Sequence, residues 1–169
     1  MSFKKTEIIS GDFDAYKLIG EDWLLVTAGS TDNYNTMTAS WGQTGVLWNK
    51  KVMTVYIRPN RKTYEFIEDN EYFTVSCFGG ECREILNFCG THSGRDCDKA
   101  KETGLVPADI EGNAAFEQAS KVFLCKKLYI QDMTDDCFID KSLLKFYGDA
   151  ETPHHRMYVG EIIGVYEKE

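Results

Sequence analysis

The strongest chemical signal in the sequence is a short basic run in an otherwise acidic chain. Arg58-Pro59-Asn60-Arg61-Lys62 gathers three cations at the start of a predicted helix, which runs to about Asn70 and takes Asn60 as its N-cap. A helix N-terminus is itself an anion site, because its first backbone N–H groups have no partner within the helix. The run therefore indicates a phosphate site, although taken alone it is equally typical of a solvated basic turn.

A second run repeats this design further along the chain. Thr91-His92-Ser93-Gly94-Arg95-Asp96, followed by Lys99, offers a hydroxyl, a glycine and a guanidinium at the start of a second predicted helix, from about Asp96 to Gly104. Simple N-capping by Ser93 or Asp96 is an alternative of equal weight. Together, the two runs could hold one phosphate group.

Between residues 33 and 49 the chain carries no charge, yet it is rich in hydrogen-bonding side chains. Asn35, Thr36, Thr38 and Ser40 suit the amide-like edges of a flavin ring and its hydroxylated chain, while the basic runs suit one phosphate. The combination predicts FMN. Trp41 and Trp48 are interpreted as core or dimer packing in preference to direct ring stacking.

Two adjacent histidines precede the last predicted strand. His155 could donate a proton or touch a bound nicotinamide, and it is the candidate catalytic residue. Adjacent residues of an extended chain face opposite ways, so at most one histidine should face a site. For His154 we expect a surface or hydrogen-bonded structural role.

Composition restricts the function classes. The chain has 169 residues, a formal net charge of -8 and a pI near 4.9, which argues against nucleic acid and membrane surfaces as partners. No segment reads as a signal peptide or a membrane span, so a soluble, cytoplasmic protein is expected. The six cysteines show no zinc-ligand spacing, so we predict no metal site. Cys77, Cys82 and Cys89 are predicted to be buried structural thiols, with Cys82 and Cys89 on one helix face.

The sequence predicts about six strands, with short helices inserted between them, to position these residues. The predicted strands are Glu21 to Ala28 (apolar on both faces), Thr36 to Trp41, Val52 to Ile57, Tyr72 to Phe78, Val122 to Ile130 (at an edge, from Lys126 and Lys127) and Arg156 to Tyr166. Further helices are predicted from Glu81 to Cys89, closed by Gly90, and from Asp135 to Tyr147. Gly160 and Gly164 indicate close backbone approach or bends. A single domain over residues 1–169, built as a closed antiparallel barrel, fits best.

Three segments together resemble the flavin reductase-like FMN-binding split-barrel family, and its flavoredoxin-like members most. They are Asn-Thr-Met-Thr-Ala-Ser-Trp at 35 to 41, Arg-Pro-Asn-Arg-Lys-Thr-Tyr-Glu-Phe at 58 to 66, and Cys-Gly-Thr-His-Ser-Gly-Arg-Asp at 89 to 96. The resemblance extends from about Trp23 to Val165. It implies a six-stranded, Greek-key antiparallel split β-barrel that forms a homodimer with FMN near the subunit interface.

The resemblance also implies which residues bind FMN. The segment Asn35 to Ser40 would follow the ring and ribityl chain, and the segments Arg58 to Tyr64 and Ser93 to Lys99 would hold the phosphate end. The cofactor-binding candidates are Asn35, Thr36, Met37, Thr38, Ala39, Ser40, Arg58, Asn60, Arg61, Tyr64, Ser93, Gly94, Arg95, Asp96 and Lys99. His155 matches a histidine that approaches the flavin's reactive face; His154 stands where many relatives have an acid.

The expected activity is NAD(P)H-dependent flavin reduction, in which the protein positions nicotinamide and flavin for hydride transfer to the ring. Backbone N–H groups and hydroxyls from Thr36 to Ser40 would stabilise the charge on the reduced ring. One alternative is an FMN electron carrier that exchanges electrons with a protein partner, and another is a non-enzymatic module that binds flavin or haem. The electron acceptor could be a protein or free flavin.

Overall fold

Ten β-strands and three α-helices form within residues 2–7 and 14–168, which are the residues that the computed structural model describes. The strands are β1 (Phe3–Thr6), β2 (Leu24–Ser30), β3 (Asn33–Ala39), β4 (Gly42–Leu47), β5 (Lys50–Ile57), β6 (Tyr72–Cys77), β7 (Pro107–Ile110), β8 (Asn113–Phe116), β9 (Lys121–Asp132) and β10 (Arg156–Lys168). The helices are α1 (Lys62–Asp69), α2 (Arg83–Thr91) and α3 (Lys99–Thr103). Shorter helical turns span Lys17–Asp22, Gly80–Cys82, Asp135–Cys137 and Lys141–Phe146.

The main sheet is antiparallel throughout, in the order β3-β2-β6-β9-β10-β5-β4. β1 pairs with the end of β10, beyond the part that pairs with β5, and β7 and β8 form a separate hairpin. Arg156 pairs with Ile57 across β10 and β5. This register places the residue before β10, His155, beside the end of β5, where the first basic run begins.

Two hydrophobic clusters form the core on opposite faces of β2. Leu24 and Val26 contribute to one cluster and Leu25 to the other, as period-2 alternation requires. β2 lies between β3 and β6, so the prediction of a central strand that is apolar on both faces is confirmed. Helices α1 and α2 both pack against β3, which brings the start of one and the end of the other to the same strand.

The six predicted strands are present as β2, β3, β5, β6, β9 and β10, and the mainly β antiparallel fold with short inserted helices is confirmed. The expectation of an edge strand at Lys126 and Lys127 is wrong, because β9 pairs with both β6 and β10. Two local contacts make the lysines compatible with an interior strand. Lys126 forms an ion pair with Glu71, and Lys127 Nζ donates to the carbonyl oxygens of Ile67 and Glu68 at the end of α1.

Several predicted helix ends are also wrong. The N-cap of α1 is Arg61, because the Asn60 amide instead donates to the carbonyl oxygen of Glu151 at 2.9 Å. Helix α2 continues through Gly90 to Thr91. The segment predicted as one helix from Asp135 to Tyr147 forms two separate short turns.

The close approaches predicted at Gly160 and Gly164 are present. A Cβ on Gly160 would lie 2.7 Å from the Phe73 ring, and one on Gly164 would lie 2.7 Å from the Tyr166 ring. Both positions therefore require glycine for packing.

Cys77, Cys82 and Cys89 are buried, as predicted, whereas Cys97 is half-buried and Cys137 is exposed. Cys82 and Cys89 lie in the same core cluster, but Cys82 belongs to the turn before α2 and not to the helix itself. Burial raises the pKa of Cys77 to about 12 and that of Cys89 to about 11, so both are unreactive near neutral pH. Among the described residues no group of His, Cys, Asp and Glu side chains is arranged to hold a metal ion. None of the helices in these residues has the length and apolar character needed to cross a bilayer.

Candidate functional site

A cavity of about 220 Å³ opens between the end of β3, the end of β5, helix α2 and the residue before β10. Its lining residues are Met37, Thr38, Ala39, Ser40, Trp41, Tyr56, Arg58, Arg61, Gly90 and His155. Seven of these are predicted site residues from three separate segments of the sequence. We call it the His155 cavity.

His155 is buried at the wall of this cavity, with 9% of its surface exposed. Its Nδ1 lies 3.1 Å from the Tyr147 hydroxyl, and its ring centroid lies 5.3 Å from that of Trp41. Burial, together with the positive charges of Arg58 and His154, lowers the pKa of His155 to about 4. The imidazole is therefore neutral at pH 7 and can act there as a hydrogen-bond donor or acceptor, but not as a stored acid.

Arg58 lines the cavity and also fixes a neighbouring segment of the chain. Its Nη1 donates to the carbonyl oxygen of Pro153 at 2.9 Å, and its Nη2 donates to that of Phe146 at 3.1 Å. The Asn60 amide holds the same segment through Glu151. These two members of the basic run therefore position residues 146–153 against the site, which the sequence pattern did not indicate.

Two further cations meet at the carboxyl end of helix α2. Lys99 Nζ donates to the carbonyl oxygens of Cys89 at 2.8 Å and Thr36 at 2.9 Å, and Arg61 Nη2 donates to that of Gly90 at 2.7 Å. The negative end of the helix dipole favours cations at this place. Burial and the nearby guanidinium lower the pKa of Lys99 to about 8, so its ammonium group is still mostly charged at pH 7.

A second cavity, of about 440 Å³, adjoins Lys99 and is lined by Asp32, Asn33, Tyr34, Asn35, Thr36, Gly94, Arg95, Asp96, Cys97, Asp98, Lys99 and Ala100. We call it the Lys99 cavity. Its wall depends on Gly94, since a Cβ there would lie 1.9 Å from the end of the Asn35 amide. Arg95 connects this cavity to the first basic run, because its Nη1 donates to the Asn60 carbonyl oxygen at 2.9 Å.

Three predicted site residues, Asn60, Tyr64 and Ser93, line neither cavity, and Asn60 instead holds Glu151. Tyr64 packs near Tyr158, with ring centroids 6.5 Å apart, and lies under the Arg156 guanidinium. Ser93 accepts a hydrogen bond from the Arg95 backbone N–H and so shapes the turn. Neither Ser93 nor Asp96 caps α3, since the N-cap is Asp98, whose Oδ1 accepts from the N–H of Lys101.

The hydroxyls predicted to face a ligand are mostly engaged within the protein. Thr36 Oγ1 lies 2.8 Å from Thr27 Oγ1, and Thr38 Oγ1 donates to the Leu86 carbonyl oxygen. Ser40 is exposed at the cavity, and its hydroxyl makes no hydrogen bond within the described ranges. Of the predicted hydroxyl donors around β3, Ser40 is therefore the one left for a ligand.

Sequence reasoning missed several residues of the His155 cavity. Tyr56 and Gly90 line the cavity, and Tyr147 contacts His155 from outside the lining. The sequence does not predict these site positions, because they depend on how β5, α2 and the 146–153 segment fold together. The core alternative for the tryptophans is wrong, because Trp41 is 44% exposed at the cavity and Trp48 is 55% exposed beside Tyr129. The alternative of dimer packing stays a prediction. His154 stacks on Tyr147 and lies 2.8 Å from the Asp135 carboxylate, in the structural role expected for it.

Ion pairing divides the cations of the two basic runs into two groups. Lys62 and Arg95 both pair with Glu65, whereas Arg58, Arg61 and Lys99 form no ion pair with any carboxylate that the structure describes. Their hydrogen-bond acceptors are carbonyl oxygens, which carry no net charge. Three cations without a carboxylate partner around adjoining cavities, in a chain of net charge -8, favour an anionic ligand over a neutral one there.

The family model described as the flavin reductase like domain matches residues 18–169. A search of curated protein sequences finds no match. Similar solved structures include an FMN-binding domain of a flavin reductases-like enzyme from Shewanella baltica OS155, with a TM-score of 0.70 at 20% identity over 99% of this chain and 78% of that one. The flavoredoxin of Desulfovibrio vulgaris (Miyazaki F) gives 0.68 at 19% identity, over 97% of this chain and 77% of that one.

A third structure, the NADH:FAD oxidoreductase SgcE6 of Streptomyces globisporus C-1027, gives a TM-score of 0.65 at 15% identity, over 86% of this chain and 75% of that one. At these identities the likeness shows the fold, an antiparallel split barrel. The predicted fold class is thereby confirmed, with four strands more in the described residues than the six expected.

Proposed function

We propose that this protein, which belongs to the flavin reductase like domain family, binds FMN and works as an NAD(P)H-dependent flavin reductase. The observation that carries the proposal is the group of uncompensated cations, Arg58, Arg61 and Lys99, around the His155 and Lys99 cavities. One phosphate, with a charge of about -2 at pH 7, would compensate most of their charge without a protein carboxylate. The names of the similar structures, an FMN-binding domain and an NADH:FAD oxidoreductase among them, support the same cofactor class and activity.

The chemistry of the side chains fits FMN at both ends. Arg61 and Lys99 would hold the phosphate through charge-assisted hydrogen bonds. Ser40 and the neutral His155 would hydrogen-bond the polar edge of the ring, and Trp41 and Tyr56 offer flat apolar surface. Bound FMN would supply reversible two-electron transfer, and the chain's residues would bind and orient it.

The phosphate assignment is tested by comparing two ligands that differ only in that group. Arg61→Ala is expected to weaken FMN binding by about 10- to 100-fold, because a hydrogen bond to a charged group is worth about 1.5 to 3 kcal/mol. Riboflavin, which lacks the phosphate, should lose much less. Quenching of flavin fluorescence measures both affinities.

Arg83→Ala is the matched control for this test. Arg83 is an exposed arginine that packs over the Trp23 ring and lines neither cavity, so both affinities should stay unchanged. Equal losses for FMN and riboflavin in Arg61→Ala would contradict the phosphate assignment.

The activity is tested by following the flavin absorbance of the FMN-loaded protein without oxygen. Bleaching by NADH or NADPH supports the reductase. A band that dithionite bleaches but neither nucleotide does would favour the electron carrier, and failure to take up FMN would favour a non-enzymatic module.

Two further parts of the proposal concern assembly and location. We propose a cytoplasmic homodimer, which sedimentation of the purified protein and cell fractionation would test. Apolar side chains exposed around the β4–β5 hairpin, among them Val46, Leu47 and Trp48, support an assembled state.

A further inference from the structure

Tyr147 is in direct contact with His155 at the edge of the His155 cavity. The Tyr147 hydroxyl lies 3.1 Å from Nδ1 of His155, and His155 Nε2 makes no hydrogen bond in the part of the chain that the structure describes. No sequence pattern indicates this pair, because eight positions of irregular chain separate the two residues. Nδ1 is therefore committed to the protein, and Nε2 is left for a ligand.

The position of Tyr147 is fixed by several groups. Its ring stacks on His154 with centroids 4.5 Å apart and planes inclined by 8°, and the Arg58 guanidinium lies 5.3 Å from its centroid. Its backbone N–H donates to the Leu144 carbonyl oxygen at 2.9 Å. Arg58 also holds the preceding residue, Phe146, by its carbonyl oxygen. A side chain held in this way can impose a geometry on its hydrogen-bond partner.

The direction of the hydrogen bond follows from the chemistry of the two groups. A neutral imidazole has one N–H donor and one acceptor nitrogen, so its partner selects the tautomer. The titratable and charged groups that face His155 are Arg58, His154, Tyr56 and Tyr147. Burial, followed by Arg58 and His154, lowers the pKa of His155 to about 4. Burial raises the pKa of Tyr147, so its hydroxyl keeps its proton.

A phenol O–H is a stronger donor than a neutral imidazole N–H, and an imidazole nitrogen is a stronger acceptor than a phenol oxygen. The Tyr147 hydroxyl therefore donates to Nδ1, and the ring proton of His155 resides on Nε2.

We propose that Tyr147 is a positioning residue that holds His155 as its neutral Nε2–H tautomer, so that His155 offers an N–H donor to an acceptor atom of the ligand in the His155 cavity. The inference rests on the proposed function for the ligand class, a flat heteroaromatic ring with carbonyl or imine acceptors. The tautomer itself is a property of the apoprotein. Tyr147 acts through His155 and does not need to touch the ligand.

The tautomer is measured by two-bond ¹H–¹⁵N correlation spectra of the apoprotein labelled with ¹⁵N-histidine. Only three histidines contribute, and His155→Gln identifies the signals of the residue of interest. We expect the Nε2–H pattern at pH 7 in the wild type. In Tyr147→Phe, the ratio of Nδ1–H to Nε2–H tautomer should rise roughly fivefold, and the pKa of His155 should rise by about one unit, because a hydrogen bond that only neutral imidazole can accept is lost.

Tyr56→Phe is the matched control, since Tyr56 packs edge-on against the same ring with centroids 6.5 Å apart and donates no hydrogen bond to it. Its tautomer ratio should equal that of the wild type. An Nδ1–H pattern in the wild type would overturn the proposal, as would an unchanged ratio in folded Tyr147→Phe or an equal change in both variants. Should Tyr147→Phe fail to fold, the wild-type spectrum still decides the tautomer. Because these spectra need no FMN, their outcome is separate from that of the FMN binding test.

Discussion

Acidification from pH 8 to pH 5 is expected to lower the free energy of unfolding by about 2 kcal/mol through His155 alone. In the unfolded chain this histidine titrates near its ordinary pKa of 6.5, whereas burial, Arg58 and His154 lower its native pKa to about 4. Between these values the unfolded state binds the proton and the folded state does not. Stability is therefore fully present above pH 6.5 and is lost as the pH falls towards 4, up to a limit of about 3 kcal/mol.

The measurement is urea unfolding at constant ionic strength, at half-unit steps from pH 8 to pH 5. His155→Gln removes the titrating group, so the difference in unfolding free energy between wild type and variant should stay constant above pH 7 and shrink by about 2 kcal/mol by pH 5. Restricting the range to pH 5 and above limits the contribution of carboxyl groups, which titrate lower. Parallel profiles for the two proteins would refute the buried, neutral state of His155.

Two further predictions concern the supports of the site. Gly94→Ala should destabilise the protein by about 1 to 3 kcal/mol, because the new Cβ would displace the Asn35 amide. Thermal or urea unfolding measures this loss. Gly45→Ala is the control and should have little effect, since no heavy atom lies within 4 Å of a Cβ at that position. Equal stability of the two variants would show that the Asn35 side chain can move aside without a loss of stability. Lys127→Met should cost about 1 to 2 kcal/mol, since Lys127 satisfies two carbonyl oxygens at the end of α1. Lys126→Met removes an exposed ion pair with Glu71 and a distant contact with the Tyr72 ring, and should cost less than about 1 kcal/mol. The reverse order would contradict this assignment.

The site shows how an acidic protein can prepare a place for an anion. Lys62 and Arg95 form ion pairs with the exposed carboxylate of Glu65, and water weakens both pairs. Arg61 and Lys99 are instead oriented by carbonyl oxygens at the end of α2, which fix their positions without neutralising them. In the proposed complex a phosphate would meet cations that are already positioned, so little side-chain entropy would be lost on binding.

The sequence by itself predicted an FMN ligand and located most of the sheet. Charge and hydroxyl patterns do not depend on the fold, so the two basic runs and the neutral stretch around Asn35 to Ser40 indicate FMN through residue type alone. Strand alternation and β-branched runs located the six main strands for the same local reason, and Gly160 indicated its close contact because a strand rarely admits glycine otherwise.

Only the tertiary structure decided how the cations and the histidine are used. Arg58 and Asn60 hold residues 146–153 through carbonyl oxygens that lie about 90 positions away in the sequence. No local pattern can indicate contacts over that distance. The sequence did not indicate the interior position of β9 for a related reason, because the carbonyl oxygens that accept from Lys127 belong to α1. The Tyr147–His155 pair depends on an irregular segment that has no periodicity to read. A local sequence pattern shows which chemical groups are present. Their hydrogen-bond partners and protonation states depend on contacts between distant segments, which form only when the chain folds.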